Sequence, residues 1–407
     1  MSFRKVLAAL VLGAGCPGYA LPCTCVGFGP ACAEAVSPHV SAVFLGTVES
    51  IGMPSLWEIF TDRRELSATL RGEVEVTLSV QEAYKGVSSK KVAVRTNSSE
   101  AACGFPFQKG QQYVVYASEY KGKLYTSICQ RTLPARLVAK DLAYLRKMKD
   151  LPETSEIFGT YKRYTYDPNF VPRFTPSIMD HYRPPEEEYR AMAPMTGETV
   201  TLTSQNGQEL KTKVDPSGEF SFTALPPGKY SIKVTVPPKL APARGYAAGV
   251  GFRLDSLEVL PKGCAEVTFR TEPDGHIGGR IVNSGGHPLT HVEVVAWKAG
   301  EKFEIYRGFS RAYNNEDGTF DLGPLPPGEY ILGAYVWSLP QGFPAMANDR
   351  ERLQNATLRF FPGTREFKAA KPMVVGYGEH VTRVELRIPF DLAAWKDVKP
   401  SPGTEPR

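Results

Sequence analysis

One block of this 407-residue chain occurs twice, and every matching position lies 100 residues from its counterpart. Asp215-Pro-Ser-Gly218-Glu-Phe220 and Leu225-Pro-Pro-Gly228-Lys-Tyr230 return as Asn315-Glu-Asp-Gly318-Thr-Phe320 and Leu325-Pro-Pro-Gly328-Glu-Tyr330. Repetition at this length means two homologous domains, not a solenoid of small units. Asp or Asn with Gly makes a tight turn, and the Phe after it opens an inward-pointing strand. Leu-Pro-Pro-Gly is an extended, donor-poor corner that a central strand cannot use. The following Tyr begins another strand with Ile232 and Val234, or with Ile331 and Leu332. Short alternating strands with turns this dense predict a β-sandwich for each copy. The copies extend outward: Ile157 to Tyr161 matches Ile277 to Val282, and Gly263 to Phe269 matches the segment after Gly378. In that match Cys264 falls on Glu379.

The paired motifs, Asp-x-x-Gly-x-Phe and Leu-Pro-Pro-Gly-x-Tyr, resemble the carboxypeptidase regulatory-like, transthyretin-like domains of bacterial exported proteins. The resemblance implies a fold far more than an activity.

Residues 23 to 146 read as a separate unit. Val74 to Val80 alternates as a half-buried strand should, and Val43 to Val48 is a strand-like apolar run. Val92 to Val94, Tyr113 to Tyr116 and Leu124 to Thr126 are further strand candidates. Ala135, Val138, Leu142 and Leu145 recur at helical spacing and predict a closing amphipathic helix. About five strands and one helix suit a small barrel of the oligonucleotide/oligosaccharide-binding type.

The start of the chain reads as a secretion signal over residues 1–22. Arg4 and Lys5 precede the short apolar stretch Val6 to Leu12, and Gly18-Tyr19-Ala20 offers a cleavage site. A lipoprotein signal ending at Cys16 is the alternative, although its box lacks the usual branched residue at −3. No apolar run reaches the ~20 residues of a spanning helix, so an exported protein without a transmembrane segment is expected: periplasmic, on the outer cell surface or secreted. Of seven cysteines, six lie beyond Cys16: Cys23, Cys25, Cys32, Cys103, Cys129 and Cys264. An even number in an exported chain favours bridges. Cys23 and Cys25 are too close in sequence to bridge each other without strain, so each needs a distant partner.

Cys23-Thr24-Cys25, Ala42 to Val48, Tyr84-Lys85-Gly86, Cys103-Gly104, Gly110-Gln-Gln-Tyr113-Val-Val and Cys129 follow one another as in netrin-like domains. These include the tissue inhibitors of metalloproteinases, and the resemblance covers about 120 residues. It implies the pairs Cys23–Cys103 and Cys25–Cys129, each contributing on the order of 4 kcal/mol. Cys32 has no family partner. It is left to bridge Cys264 or to stay free, and export disfavours a free thiol. In the inhibitors the first cysteine chelates a protease zinc through its free α-amine and carbonyl, and its neighbour enters a specificity pocket. Those roles would fall on Cys23 and Thr24. Cleavage after Ala20 leaves Leu21-Pro22 ahead of Cys23 and removes the amine from the position that matters.

The whole chain is therefore expected to be mainly β, with an N-terminal OB-type barrel and closing helix (23–146) before two tandem transthyretin-like β-sandwiches (157–271 and 274–389). Residues 164–194 form an inserted loop in the first sandwich, and 390–407 a tail. Tyr161, Tyr164, Tyr166, Arg173, Phe174, Tyr182 and Arg183 in and around that loop form the candidate contact surface, because Tyr and Arg are enriched at hot spots. The competing reading packs these rings onto their own sandwich.

No His-Glu-x-x-His, Gly-x-Ser-x-Gly, phosphate-binding Gly-Lys-Ser/Thr or dinucleotide fingerprint is present, so no enzyme activity and no cofactor are expected. His287, His291 and Glu293 could share a strand face as metal ligands. His287, however, belongs to a Gly-Gly-His-Pro turn, and no metal is expected. A net charge of +5 with interspersed signs calls for no nucleic acid. Two functions remain: a non-catalytic envelope or secreted protein that binds another protein or a surface polymer, or a secreted metallopeptidase inhibitor.

Overall fold

The computed structural model describes residues 25, 28–52, 72–164, 192–242, 244–248, 254–300, 303, 309–338 and 353–390. Within them the chain is mainly β, with few helices.

The barrel is built from β1 (Ala42–Gly52), β2 (Glu73–Lys85), β3 (Lys91–Asn97), β4 (Gln112–Tyr120) and β5 (Lys123–Tyr125), with β6 (Leu133–Pro134) against β4. The order β1-β2-β3-β5-β4 returns to β1, and only β3–β5 is parallel. Closure removes the free sheet edges. Phe44, Val76, Leu78, Val94 and Val115 point inward, with Phe105, Phe107 and Tyr113 packed at tilted or edge-on angles. Both faces of β1 are buried, because Val43 and Leu45 meet a second cluster outside the barrel. That cluster includes α1 (Ala31–Val36) and α2 (Ala139–Lys147) through Ala35 and Leu145. Arg131 gives two hydrogen bonds to Asp141 on α2 (2.7 and 2.9 Å) and a third to the carbonyl of Gly29, which ties the incoming chain down.

The first sandwich stacks the sheet β10-β9-β12-β14 on β11-β7-β15-β13, with β8 beside β7. The strands are β7 (Ser155–Tyr164), β8 (Met192–Pro194), β9 (Thr199–Ser204), β10 (Glu209–Lys213), β11 (Glu219–Leu225), β12 (Gly228–Val234), β13 (Arg244–Ala248), β14 (Leu257–Val259) and β15 (Cys264–Thr271). The second stacks β19-β16-β23 on β18-β17-β20-β21, with β22 beside β20. Its strands are β16 (Gly275–Val282), β17 (Val292–Lys298), β18 (Ser310–Tyr313), β19 (Thr319–Leu325), β20 (Gly328–Val336), β21 (Arg359–Phe360), β22 (Met373–Val375) and β23 (His380–Arg387).

The repeated block does the same work in both. Phe220 and Phe320 are buried, and Gly218 and Gly318 take left-handed backbone at the turn (φ 88° and 80°). Tyr230 and Tyr330 are core residues whose hydroxyls donate to the Pro226 and Pro326 carbonyls, each at 2.7 Å. Each sandwich also pairs its first and last strands in parallel, β7 with β15 and β16 with β23. Gly159 and Gly279 permit this approach, since a Cβ at either would strike the carbonyl of Val267 or Val384.

Three boundaries differ from the sequence reading. Tyr164 and residues 192–194, assigned there to a loop, pair as strand, because β7 runs on and recruits β8. Phe390, assigned to the tail, is buried in the second core. The pairing registers also set Cys264 against Glu156 and His380 against His276. The partner of Cys264 in the repeat is thus His380, one residue past Glu379.

Candidate functional site

The cysteines connect the barrel to itself and to the body. Cys25 is bridged to Cys129, and Cys32 to Cys264 across 232 residues. Cys103 is disulfide-bonded as well. Cys23 and Thr24, which carry the inhibitor reading, lie outside the described residues. Around Cys264 the barrel–sandwich joint is also polar. Tyr144 donates its hydroxyl hydrogen to the Lys262 carbonyl (2.9 Å), and Lys262 Nζ donates to the Lys149 carbonyl (2.9 Å).

Of the proposed contact loop, Tyr166, Arg173, Phe174, Tyr182 and Arg183 lie outside the described residues. Tyr164 is half-buried, and its hydroxyl oxygen accepts from Arg270 at 3.2 Å. Tyr161 belongs to the first core, edge-on to Phe269, because its place on β7 faces inward.

The three residues weighed as metal ligands do not converge. Glu293 is buried on β17, paired with Arg311 (2.9 Å) and accepting the Tyr335 hydroxyl hydrogen (2.6 Å). Burial and this carboxylate raise the Tyr335 phenol above its ordinary range. His291 has left-handed backbone (φ 60°) and contacts Thr290, while His287 sits in the turn closed by Asn283.

A different set does converge. Asp274, in the link between the sandwiches, lies 3.2 Å from His276 Nε2 and 3.3 Å from His380 Nε2. The two imidazole rings lie tilted against each other at 42°, with centroids 4.6 Å apart, and His276 Nδ1 is 2.8 Å from Asp321 Oδ1. This is the one cluster among the described residues with three potential metal donors close together. It lies where Asp274 N donates to the Lys239 carbonyl and Arg163 reaches the Tyr377 hydroxyl, so it marks the joint between the sandwiches.

The outer face of the second sandwich carries the other feature. Trp297, Ile331, Tyr335 and Phe360 are buried there under Phe303 and Phe367. Ring centroids from Trp297 to Phe303 and Phe360 are 5.4 and 5.7 Å apart, within the range of favourable aromatic contacts. Beside this layer runs a cleft of about 740 Å³, lined by Phe303, Ile331, Phe367 and Ala370, with Glu366 and Lys368 supplying charge. Sequence reading missed it because Phe303, Phe360 and Phe367 fall in no periodic pattern. The signal available was Ile331 and Tyr335, apolar where the first copy has Ser231 and Thr235.

Among the described residues, no helix is long and apolar enough to cross a membrane. No family model matches the chain. No curated protein matches it either. Among solved structures, it is similar to the Bacillus anthracis TIE protein at 12% identity and a TM-score of 0.21, over 77% of this chain and 41% of that one. It therefore spans less than half of that protein's length. It is also similar to GBS52, the minor pilin of Streptococcus agalactiae, at 12% identity and a TM-score of 0.19, over 62% of this chain and 100% of that one. For the shaft pilin SpaA of Lactobacillus rhamnosus GG the values are 10%, 0.19, 59% and 99%. At these scores the likenesses establish neither a family nor a function.

Proposed function

We propose that the chain is an exported, non-catalytic protein of the cell envelope or extracellular space that binds another protein or a surface polymer through its β-domains. The aromatic cleft of the second sandwich carries this reading. Apolar walls with a few charged groups are the usual make-up of a binding site, and aromatic side chains supply most of the contact energy in such places. The bridges Cys25–Cys129 and Cys32–Cys264 support export, since disulfides persist in oxidising compartments. Cys32–Cys264 also holds the barrel against the body, which suits a protein that presents surfaces.

The test is co-sedimentation of the purified chain with isolated envelope material, separated into polymer and protein fractions. Retention by one fraction is expected, weakened about tenfold in Phe367→Ala, the size typical of an aromatic anchor. Equal retention of both forms, or none of either, would reject the cleft as the binding site.

The Cys25–Cys129 bridge also favours a second reading, because it has the connectivity of the netrin-like inhibitors. That reading needs Cys23 at the mature N-terminus. Inhibition assays on a chain beginning at Cys23 and on one beginning at Leu21 separate the cases. Stoichiometric inhibition by the Cys23 form alone would support it, and no inhibition by either would remove it.

A further inference from the structure

The geometry points to a binding site for one divalent transition-metal ion of the Zn²⁺ class, held by Asp274, His276 and His380 and clasping the joint between the two sandwiches. Three observations carry it.

The first is the donor set. In four-coordinate zinc sites with bonds of about 2.0–2.1 Å, neighbouring donor atoms stand roughly 3.3–3.4 Å apart. Asp274 presents one carboxylate oxygen to each ring, Oδ1 at 3.2 Å from His276 Nε2 and Oδ2 at 3.3 Å from His380 Nε2, both near that spacing. The ligand atoms of all three residues lie within 4.8 Å of one another. Two imidazoles and a carboxylate select borderline transition metals over Mg²⁺ or Ca²⁺, which prefer oxygen throughout. His380 is 53% exposed, which leaves the outer side open to a water as fourth ligand.

The second is the arrangement behind the donors. Asp321 Oδ1 lies 2.8 Å from His276 Nδ1. A carboxylate only accepts, so this contact places a proton on Nδ1 and leaves Nε2, on the side of Asp274, as the nitrogen that can take a metal. Asp274 Oδ1 stands 3.2 Å from that Nε2, close enough for both atoms to bind one cation. A carboxylate behind a histidine is the usual support of a metal ligand and fixes both tautomer and ring. The strand opposite also makes room for the ring. The β16–β19 register shifts at His276, and a Cβ on Gly323 would lie 2.6 Å from the imidazole.

The third is the repeat. His380 occupies the place of Cys264, since each opens the last strand of its sandwich and pairs with the residue before the matched Ile157 or Ile277. The backbone repeats too: Glu156 N donates to the Gly263 carbonyl and His276 N to the Glu379 carbonyl. In the first sandwich this corner is bonded covalently to the preceding barrel through Cys32. In the second it holds Asp274, from the segment that joins it to the preceding sandwich. One corner of the fold thus fastens each sandwich to what comes before it, by sulfur in one copy and by metal in the other.

The test uses the full exported chain, stripped with a chelator and titrated with Zn²⁺ alone. Isothermal titration and metal analysis should give one ion per chain. His380→Ala, at an exposed position that leaves the fold intact by circular dichroism, should abolish that stoichiometric binding. Asp321→Asn should weaken it about 10–100-fold, as loss of a supporting carboxylate does. Hydrogen exchange in residues 271–276 should slow on Zn²⁺ addition in the wild type and not in His380→Ala. Absence of stoichiometric binding, or unchanged affinity in His380→Ala, would overturn the site. Binding without slower exchange in the link would overturn the clasp.

Discussion

Ser231 on β12 and Thr235 just past it face outward from the first sandwich, where Ile331 and Tyr335 stand on β20 of the second. Inward, the same strands agree: Tyr230 and Ile232 in one, Tyr330 and Leu332 in the other. The neighbouring strands repeat the contrast, with Thr203 beside Ser231 and Trp297 beside Ile331. Two copies of one fold have kept the residues that close a core and diverged where closure makes no demand. The first copy leaves its back polar, and the second covers its back with Trp297, Phe303, Phe360 and Phe367. Their joints diverge in the same way, one closed by Cys32–Cys264 and the other by Asp274, His276 and His380.

The largest effect is expected at the joints. Replacing Cys32 and Cys264 with Ala should cost about 5 kcal/mol by loop-closure entropy, read by urea unfolding without reductant. His380→Ala in metal-free protein should cost less than about 1 kcal/mol, as exposed ion pairs do. A small loss from the cysteine pair would mean that the Tyr144 and Lys262 contacts hold the barrel by themselves.

Next is the covered back. Trp297→Ala should destabilise the second sandwich by about 3–5 kcal/mol, whereas Thr203→Ala at the matching place should stay within about 0.5 kcal/mol. Calorimetry that shows equal shifts for the two would break the comparison.

Glu293→Thr imports the residue found at the matching Thr199. Arg311 and the Tyr335 hydroxyl then lose their shared acceptor, at a cost of about 1–3 kcal/mol in chemical denaturation. No loss would place that acceptor function in solvent.

The smallest effect concerns pH. Glu266, on the outer face of β15, has its carboxyl raised above its ordinary value by burial, with Arg131 of the barrel pulling it back. The fold therefore favours the protonated form. The stability this lends is complete below the ordinary carboxylate pKa and is lost as pH rises through the raised one. Glu266→Gln stays neutral, so it should exceed the wild type in melting temperature at pH 7 and lose that lead as pH falls through the carboxylate range. Parallel profiles for the two proteins would remove burial as the cause. The matching position in the second sandwich, Thr382, is exposed and offers no such response.

What the chain discloses by itself follows the range of each signal. Val74 to Val80 alternates because one strand sees core and solvent in turn, so β2 is legible from seven residues. The block around Gly218 and Gly318 is legible because turn, corner and Tyr form one continuous stretch. His276 and His380 carry no such mark. They meet only through the parallel pairing of the first and last strands, and reading neighbours in sequence led instead to His287, His291 and Glu293. Tyr161 looked like a contact residue by type, yet its position on β7 sends it inward. The cleft escaped for the same reason as the histidines, since Phe303 and Phe367 meet across Trp297 from distant segments.

The Cys32–Cys264 bridge also sets an order of events in the making of the protein. At roughly 5–20 residues per second, the 232 residues between the two cysteines take on the order of 10–50 s to synthesise. Throughout that interval Cys32 has no native partner, while Cys129 is available far sooner to Cys25 and equally to Cys32. Where the chain meets an oxidant before residue 264 has been made, burial of α1 shields the Cys32 thiol, and thiol–disulfide exchange undoes a premature pairing. The last covalent act of folding then seals the first domain to the second, and a chain truncated before residue 264 would leave Cys32 as an open thiol on a barrel otherwise complete.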